Sequence, residues 1–270
     1  MSRTDKEMEA LAEIVRSYGS VAVAYSGGTD SSLVAKVAHD LLGERAVAVT
    51  INSPLSTSSE LARAKENAKA IGIRHYVVEV NPLTEGRFAS NPPDRCYVCK
   101  LAYLRETVRL SQRLGIRTVV DGTNAEDLKT HRPGTRALKQ LGIRSPLAEA
   151  GLGKADVREM SKVLRLRTAK DESNPCLATR IPYGETITME KLRRVEKAES
   201  FLREKGFVDV RVRSHSTTAR IEVSAGQLAR LATTTTRNEV VMELKSLGFD
   251  YITMDLEGYR TGSMDEVLDR

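Results

Sequence analysis

The run Val21-Ala22-Val23-Ala24-Tyr25 passes without a break into Ser26-Gly27-Gly28-Thr29-Asp30-Ser31, and then into the apolar-periodic stretch Leu33 to Leu42 that stops at Gly43. An apolar strand that turns through two glycines straight into a helix restricts the architecture more than any other feature of the chain. Glycines at such a turn let the backbone approach a ligand and aim its N–H groups at it. The N-terminus of the following helix, expected from about Ser31, adds further donors, so the turn is suited to an anion such as phosphate. Gly43 is a normal C-terminal stop. A Walker loop is excluded because no lysine followed by Ser or Thr closes a longer loop here, and a Rossmann fingerprint because the third glycine is missing.

The same rhythm continues. A strand is expected over Ala46–Ile51, then a helix from about Ser58 to Ala70, introduced by Thr57-Ser58-Ser59-Glu60 at capping-box spacing and ended by Gly72. Arg74–Val80 reads as a third strand. After the long loop NPLTEGRFASNPPDR come a helix from about Cys99 to Leu114 and a fourth strand, Arg117–Val120, which ends at Asp121-Gly122-Thr123-Asn124. This β-α-β-α order predicts an α/β fold whose parallel sheet is covered by helices, with ligands at the carboxyl ends of the strands. After about residue 180 the pattern changes to a helix over Thr188–Lys205, short strands in DVRVRS and ARIEVS, helices near Ala225–Ala232 and Asn238–Ser246, and YITMDL. A smaller α+β domain over 181–270, serving substrate or oligomerisation, is therefore expected after a first domain over 1–180. Thr233–Thr236 reads as a polar connection.

With 40% hydrophobic and 29% charged residues the chain has the balance of a soluble protein, and no apolar run approaches a membrane span. Its first fifteen residues are amphipathic rather than signal-like, so a cytoplasmic location and no membrane partner are expected. The net charge of +6 fits an anionic substrate, a nucleotide or RNA, and equally an ordinary basic enzyme, because Lys and Arg are dispersed among acids. With aromatics at 4% and no RNA-binding module in view, RNA is not the expected partner. Three cysteines, two of them in Cys96-Tyr97-Val98-Cys99, argue against a disulfide framework and bring forward metal, redox or nucleophile chemistry.

Ser26-Gly27-Gly28-Thr29-Asp30-Ser31 resembles the S-G-G-x-D-S pyrophosphate loop of the N-type ATP pyrophosphatases, the PP-loop superfamily. These cleave ATP between its α and β phosphates, leaving an adenylated substrate and pyrophosphate. The resemblance implies that the hydroxyls of Ser26, Ser31 and Ser32 and the amides of Gly27, Gly28, Thr29 and Asp30 hold the pyrophosphate, with Asp30 on Mg²⁺. It implies further that the main chain around Ile51 reads adenine and that Gly122 and Thr123 line the same edge. That last stretch reads equally as a β–α turn capped by Asn or Thr. The segments RCYVCK, DGTNAEDLKTHRPGTRALKQLGIRSPLAEAGLGKADVRE, NPCLATRIPYGETIT and KAESFLREKGFVDVRVRSHSTTARIEV extend the resemblance over nearly the whole chain to the LarE family, ATP-dependent sulfur transferases of nickel-pincer nucleotide cofactor synthesis. Membership implies the adenine nucleotide alpha-hydrolase-like fold and a homo-oligomer. It also implies adenylation of a carboxylate on a pyridinium dicarboxylate mononucleotide, followed by sulfur insertion to give a thiocarboxylate. The immediate sulfide donor is left open.

The family's sulfur-donor position falls on Cys176. In one family form this cysteine surrenders its own sulfur and becomes dehydroalanine. A second form has three cysteines and holds a [4Fe–4S] cluster, for which Cys96, Cys99 and Cys176 would bind three irons and leave the fourth to carry sulfide. The competing reading is half a zinc site, completed by Cys176 and one of His39, His75, His131 or His215. In the small domain, strand alternation puts Arg211, Arg213 and His215 on one face opposite Val210 and Val212, with Arg220 and Glu222 sharing a face of the next strand. A two-arginine face suits the substrate's phosphate, and reads equally as a solvated polar face. Arg180, four residues after Cys176, is a candidate for the substrate's phosphate or carboxylate. Within the same superfamily a tRNA thiolase and an ammonia-using amide synthetase are the rival enzymes, and a non-catalytic nucleotide sensor is the rival outside it.

Overall fold

The computed structural model describes residues 3–129, 133–170, 175–260 and 263–264. From the N-terminus the chain forms α1 (Arg3–Tyr18), β1 (Val21–Ala24), α2 (Thr29–Leu42), β2 (Ala46–Asn52), α3 (Ser58–Ile71) and β3 (Arg74–Glu79). A single turn, α4 (Gly86–Ala89), precedes α5 (Arg95–Arg113) and β4 (Thr118–Val120). Four helices follow in succession: α6 (Ala125–Lys129), α7 (Pro133–Leu141), α8 (Pro146–Glu149) and α9 (Lys154–Val163). The remainder holds α10 (Met189–Glu204), β5 (Arg211–His215), β6 (Thr218–Glu222), α11 (Leu228–Ala232), α12 (Thr234–Ser246) and β7 (Tyr251–Met254). Two compact units result: Met1–Pro82 with Cys96–Asn174, and Leu83–Arg95 with Pro175–Arg270.

In the first unit the strands are all parallel, in the order β3-β2-β1-β4. Val21–Val23 and Ala46–Thr50 are buried without alternation, the signature of strands covered on both faces. Leu33, Val34 and Val37 of α2, Val157 and Met160 of α9, and Leu11 and Val15 of α1 pack in the core that covers them. Thr57 caps α3 as its spacing predicts: Glu60 N donates to Thr57 Oγ1 at 3.3 Å while Thr57 N donates to Glu60 Oε2 at 2.8 Å. Two helices start earlier than the sequence pattern suggests. α2 takes in Thr29 and Asp30, the acid sitting in the first turn where the helix dipole favours it. α5 begins at Arg95, whose N–H donates to Pro92 O at 3.0 Å, so both Cys96 and Cys99 are helical. The helices α6 to α9 are short and closely spaced.

In the second unit the sheet order is β5-β6-β7, antiparallel for the first pair and parallel for the second. Leu202, Phe207, Val210, Val212, Ile221, Leu244 and Phe249 form its core. The sequence pattern changes near 180, yet Pro175–Arg180 and the distant piece Leu83–Arg95 both group with this unit. Asn91 explains that grouping. It is fully buried, and its Nδ2 donates to the carbonyls of Ile181, Pro182 and Glu185 at 3.2, 2.7 and 3.2 Å. Arg95 Nη1 donates to Asn91 Oδ1 at 2.5 Å, and the same guanidinium lies 4.1 Å over the ring of Tyr183. The threonine run is not a connection: Thr233 opens α12, its carbonyl accepting from Arg237 N at 2.9 Å. No helix among the described residues is long and apolar enough to cross a membrane.

Candidate nucleotide and sulfur-transfer site

Strand register sets the first half of the site. Ala24 pairs with Val49 and Val23 with Val120, so Ser26, Ile51 and Asp121-Gly122 come to one edge, where the strands' carboxyl ends lie. The glycine loop is folded on itself by its own hydroxyls. Ser31 Oγ lies 3.1 Å from Ser26 Oγ and donates to Gly28 O at 3.2 Å, while Gly28 N donates to Ser26 Oγ at 3.3 Å. Ser32 Oγ lies 3.3 Å from Tyr25 OH, and Thr29 Oγ1 donates to Thr168 O at 2.6 Å. Thr50 Oγ1, beside the loop, donates to Tyr25 O at 2.8 Å and lies 2.7 Å from His75 Nε2.

Gly27 sits at φ 77, and a Cβ there would fall 2.7 Å from Ala64 Cα and 2.8 Å from Ala64 Cβ on α3. Gly19 takes a similar φ of 70 with nothing within 4 Å. Gly27→Ala is therefore expected to destabilise the protein by about 2 kcal/mol or more and to abolish ATP binding, because backbone strain and overpacking add. Gly19→Ala bears only the strain. Urea unfolding of both variants checks this, and equal losses would remove the close approach of α3 as the cause.

Beyond the loop the structure adds residues that the sequence did not single out. Burial raises the carboxyl of Asp30 above its ordinary value, and Asp127 raises it further, against the pull of Lys154, Asn124 and Arg158. Asn124 is fully buried; its Oδ1 accepts from Glu126 N and Asp127 N at 3.0 Å each. Its Nδ2, which faces Asp30, has no partner in hydrogen-bond geometry. Their only sequence signal was Asn124-Ala-Glu-Asp127, which reads as a helix cap. Gly122 lets the end of β4 lie against α2, since a Cβ would come 2.8 Å from Ser31 N. The side chain of Thr123 is engaged in the turn itself, donating to Asp121 Oδ2 at 2.6 Å. Asp121 also accepts from Lys100 Nζ at 3.1 Å and Ser145 Oγ at 2.7 Å.

The cysteines are distributed over both units. Cys96 and Cys99 stand three residues apart at the start of α5, hence on one face; Cys96 is exposed and Cys99 half-buried. Cys176, half-buried, lies in the second unit, and its carbonyl accepts from Thr179 N at 3.0 Å, Thr179 Oγ1 at 2.8 Å and Arg180 Nη1 at 3.2 Å. His39 lies on α2, His75 on β3 and His215 on β5, while His131 falls outside the described residues. Within either unit, no three His, Cys, Asp or Glu side chains among the described residues gather as a metal site requires.

Of the three arginines expected to meet substrate, two are occupied. Arg180, 1% exposed, donates through Nε and Nη2 to Glu199 at 2.7 and 3.0 Å, and through Nη1 to Pro175 O at 2.6 Å. Glu199 is fully buried and also accepts from Arg203 Nη2 at 2.7 Å and Val212 N at 3.1 Å. Burial pushes its carboxyl up, but the Arg180 fork, Arg203 and the Val212 amide together hold it below its ordinary value. Arg213 donates through Nε and Nη2 to Glu222 at 2.9 and 2.7 Å, and through Nη1 to Thr179 O at 2.8 Å. Arg211 differs. It is buried, its Nη1 donates to Val210 O at 2.8 Å, its guanidinium lies 4.9 Å over the Tyr259 ring, and no carboxylate among the described residues is hydrogen-bonded to it. Burial first, and then Arg180, lower its pKa. Arg211 and Arg213 on β5 are thus covered rather than solvated, while Arg220 on β6 is only partly covered.

A parallel sheet in the order β3-β2-β1-β4, with the S-G-G-T-D-S turn running from its central strand β1 into α2, defines an ATP pyrophosphatase of the PP-loop class. The asparagine synthase family matches residues 8–85. The chain is 36% identical to the pyridinium-3,5-bisthiocarboxylic acid mononucleotide synthase of Lactiplantibacillus plantarum, over 92% of this chain and 90% of that one. It belongs to the same family, the LarE family of ATP-dependent sulfurtransferases. An uncharacterized protein of Synechocystis sp. is 43% identical over 98% of both chains. One chain of the glutamine-hydrolyzing GMP synthase of Archaeoglobus fulgidus is 26% identical over 69% of this chain and 65% of its own.

Proposed function

We propose that the protein uses ATP to adenylate a carboxylate of a pyridinium dicarboxylate mononucleotide and then replaces the adenylate by sulfur, giving a thiocarboxylate, AMP and pyrophosphate. The observation that carries this reading is the glycine loop with its interlocked hydroxyls beside the half-buried Asp30 and the buried Asp127. Ser26, Gly27, Gly28, Thr29, Ser31 and Ser32 hold the phosphates, the main chain at Ile51 takes the adenine, and Gly122 and Thr123 shape the wall between them. A carboxylate oxygen attacks the α-phosphorus, the bond to the β-phosphate oxygen breaks, and that oxygen leaves with the electron pair. Mg²⁺ fits Asp30 and Asp127, because partial burial and then the neighbouring Asp127 carboxylate raise Asp30, and a divalent cation between them would remove that repulsion. When bound there it would offset charge developing on the phosphates.

The donor set Cys96, Cys99 and Cys176 suits iron and sulfide, and these are the thiolates that would hold a [4Fe–4S] cluster, which when bound supplies an iron free to carry sulfide. Arg211, to which no carboxylate among the described residues is hydrogen-bonded, is the residue suited to the acceptor's phosphate, Arg213 lying beside it on β5. Arg180 acts through Glu199 and through the carbonyls of Pro175 and Cys176, as a positioning residue for the donor loop. A homo-oligomer in the cytoplasm completes the reading. Asp30→Ala is the test: Mg-dependent exchange of pyrophosphate into ATP in the presence of acceptor should fall about a thousandfold, since several kcal/mol of metal stabilisation are lost. Unchanged exchange in a folded Asp30→Ala protein would overturn the assignment.

A further inference from the structure

The glycine loop is held from outside at two of its carbonyls. Thr50 Oγ1 of β2 donates to Tyr25 O at 2.8 Å, and Asn67 Nδ2 of α3 donates to Gly27 O at 3.1 Å. Both residues are buried, at 6% and 7% exposure. Thr50 has a single hydroxyl proton, and that proton goes to Tyr25 O. Its 2.7 Å contact with His75 Nε2 is therefore a bond donated by the imidazole, which fixes the direction of the hydroxyl.

Each held carbonyl shares its peptide with an amide of the loop. No cis peptide bond occurs among the described residues, and in a trans peptide the C=O and N–H point to opposite sides. Turning Tyr25 O to Thr50 thus turns Ser26 N–H the other way, where it donates to Ser31 Oγ at 3.3 Å. Turning Gly27 O to Asn67 does the same for Gly28 N–H, which donates to Ser26 Oγ at 3.3 Å. Both amide contacts are longer than an ordinary N–H···O bond, so an anion can replace the hydroxyls at little cost. Gly28 O accepts from Ser32 N at 2.9 Å, so α2 itself sets the next peptide. Sterics alone would not keep the Gly27–Gly28 plane in this orientation. Neither residue has a Cβ, and Gly27 stands at φ 77, in the region glycine enters freely. A flip of that plane would put a carbonyl oxygen where amide donors have to meet an anion.

We propose that Asn67, and Thr50 backed by His75, are positioning residues for pyrophosphate: they hold the carbonyls of Gly27 and Tyr25 outward and so keep the amides of Gly28 and Ser26 aimed into the loop. This rests on the adenylation reading above. The three side chains act through the main chain and need no contact with the nucleotide.

The experiment is calorimetric titration of the full-length protein with Mg-pyrophosphate and, separately, with AMP, which lacks the β and γ phosphates. Thr50→Val keeps the side-chain shape and removes the hydroxyl. Asn67→Asp keeps the shape and replaces the donor by an acceptor. Each should weaken pyrophosphate about tenfold, while AMP changes less than about twofold. Thr50→Ser keeps the hydroxyl and should bind pyrophosphate within about twofold of the wild type, which a packing role for the threonine methyl would not allow. His75→Phe should fall between Thr50→Val and the wild type, and unchanged binding there would remove His75 from the device. Unfolding midpoints identify a variant that does not fold. Because Thr50 lies on β2 and Asn67 on α3, the other variant then carries the test. Undiminished pyrophosphate binding in folded Thr50→Val and Asn67→Asp would overturn the proposal, as would equal losses for pyrophosphate and AMP. A wild-type protein that binds neither compound would overturn the adenylation reading, and this inference with it.

Discussion

A Cys176→Ala protein is expected to exchange pyrophosphate into ATP at close to the wild-type rate and to form no thiocarboxylate at all. The groups proposed for adenylation belong to the first unit, whereas Cys176 belongs to the second. Its loop is held by bonds to its carbonyl from Thr179 N, Thr179 Oγ1 and Arg180 Nη1, none of which needs the thiol. The substitution therefore removes chemistry without removing the fold. Exchange of labelled pyrophosphate and mass spectrometry of the acceptor read the two steps separately. Thiocarboxylate made by Cys176→Ala would sink the role of this thiol, and amide made from ammonia would favour an amide synthetase.

The wild-type peptide containing Pro175-Cys176-Leu177 then separates two routes for the sulfur. In a sacrificial transfer the Cβ–Sγ bond breaks, the α-proton is lost, and dehydroalanine is left at 176 in protein without iron. In repeated transfer, anaerobic protein holds about four irons per chain, loses them on Ala substitution of Cys96, Cys99 or Cys176, and keeps the thiol at 176 after many turnovers with added sulfide.

The largest stability effect is expected at Glu199. Replacing it by Ala leaves Arg180, 1% exposed, without its carboxylate, and strips Val212 N and Arg203 of an acceptor. Removing one partner of a buried pair costs about 3–5 kcal/mol. Urea unfolding should show that loss, and a change below about 1 kcal/mol would mean that water or another group takes over the Arg180 fork. Acid gives a second readout. The folded pKa of Glu199 lies below its ordinary 4.5, so the pair's contribution is complete above about that pH and is lost as the pH falls through the folded value. Glu199→Gln should flatten this acid limb, leaving the arginine a neutral acceptor.

Arg180 also shows where reading residues in order reaches its end. Four residues after a candidate sulfur donor, an arginine suits a substrate anion as well as it suits a buried partner. Nothing near it in the chain names Glu199, which appears there as one more charge on an amphipathic helix. Arg211 and Arg213 share a face by alternation, and the strands form in that register. Whether the face meets solvent, ligand or protein depended on Glu222, Thr179 and Tyr259.

The sequence by itself determined what neighbours along the chain can decide: the glycine turn into α2, the capping box at Thr57, the buried parallel strands, the family, and the alternation of β5 and β6. These follow from backbone sterics, from side-chain donors within a turn of their acceptors, and from the periods of strand and helix. Only the tertiary structure decided that Leu83–Arg95 belongs with the second unit through Asn91, that Asp127 faces Asp30, and which arginines are already paired. The physical reason is that burial and partner, not residue type, set whether a charge is available to a ligand, and both are fixed by which faces pack together after chain segments far apart in sequence have met.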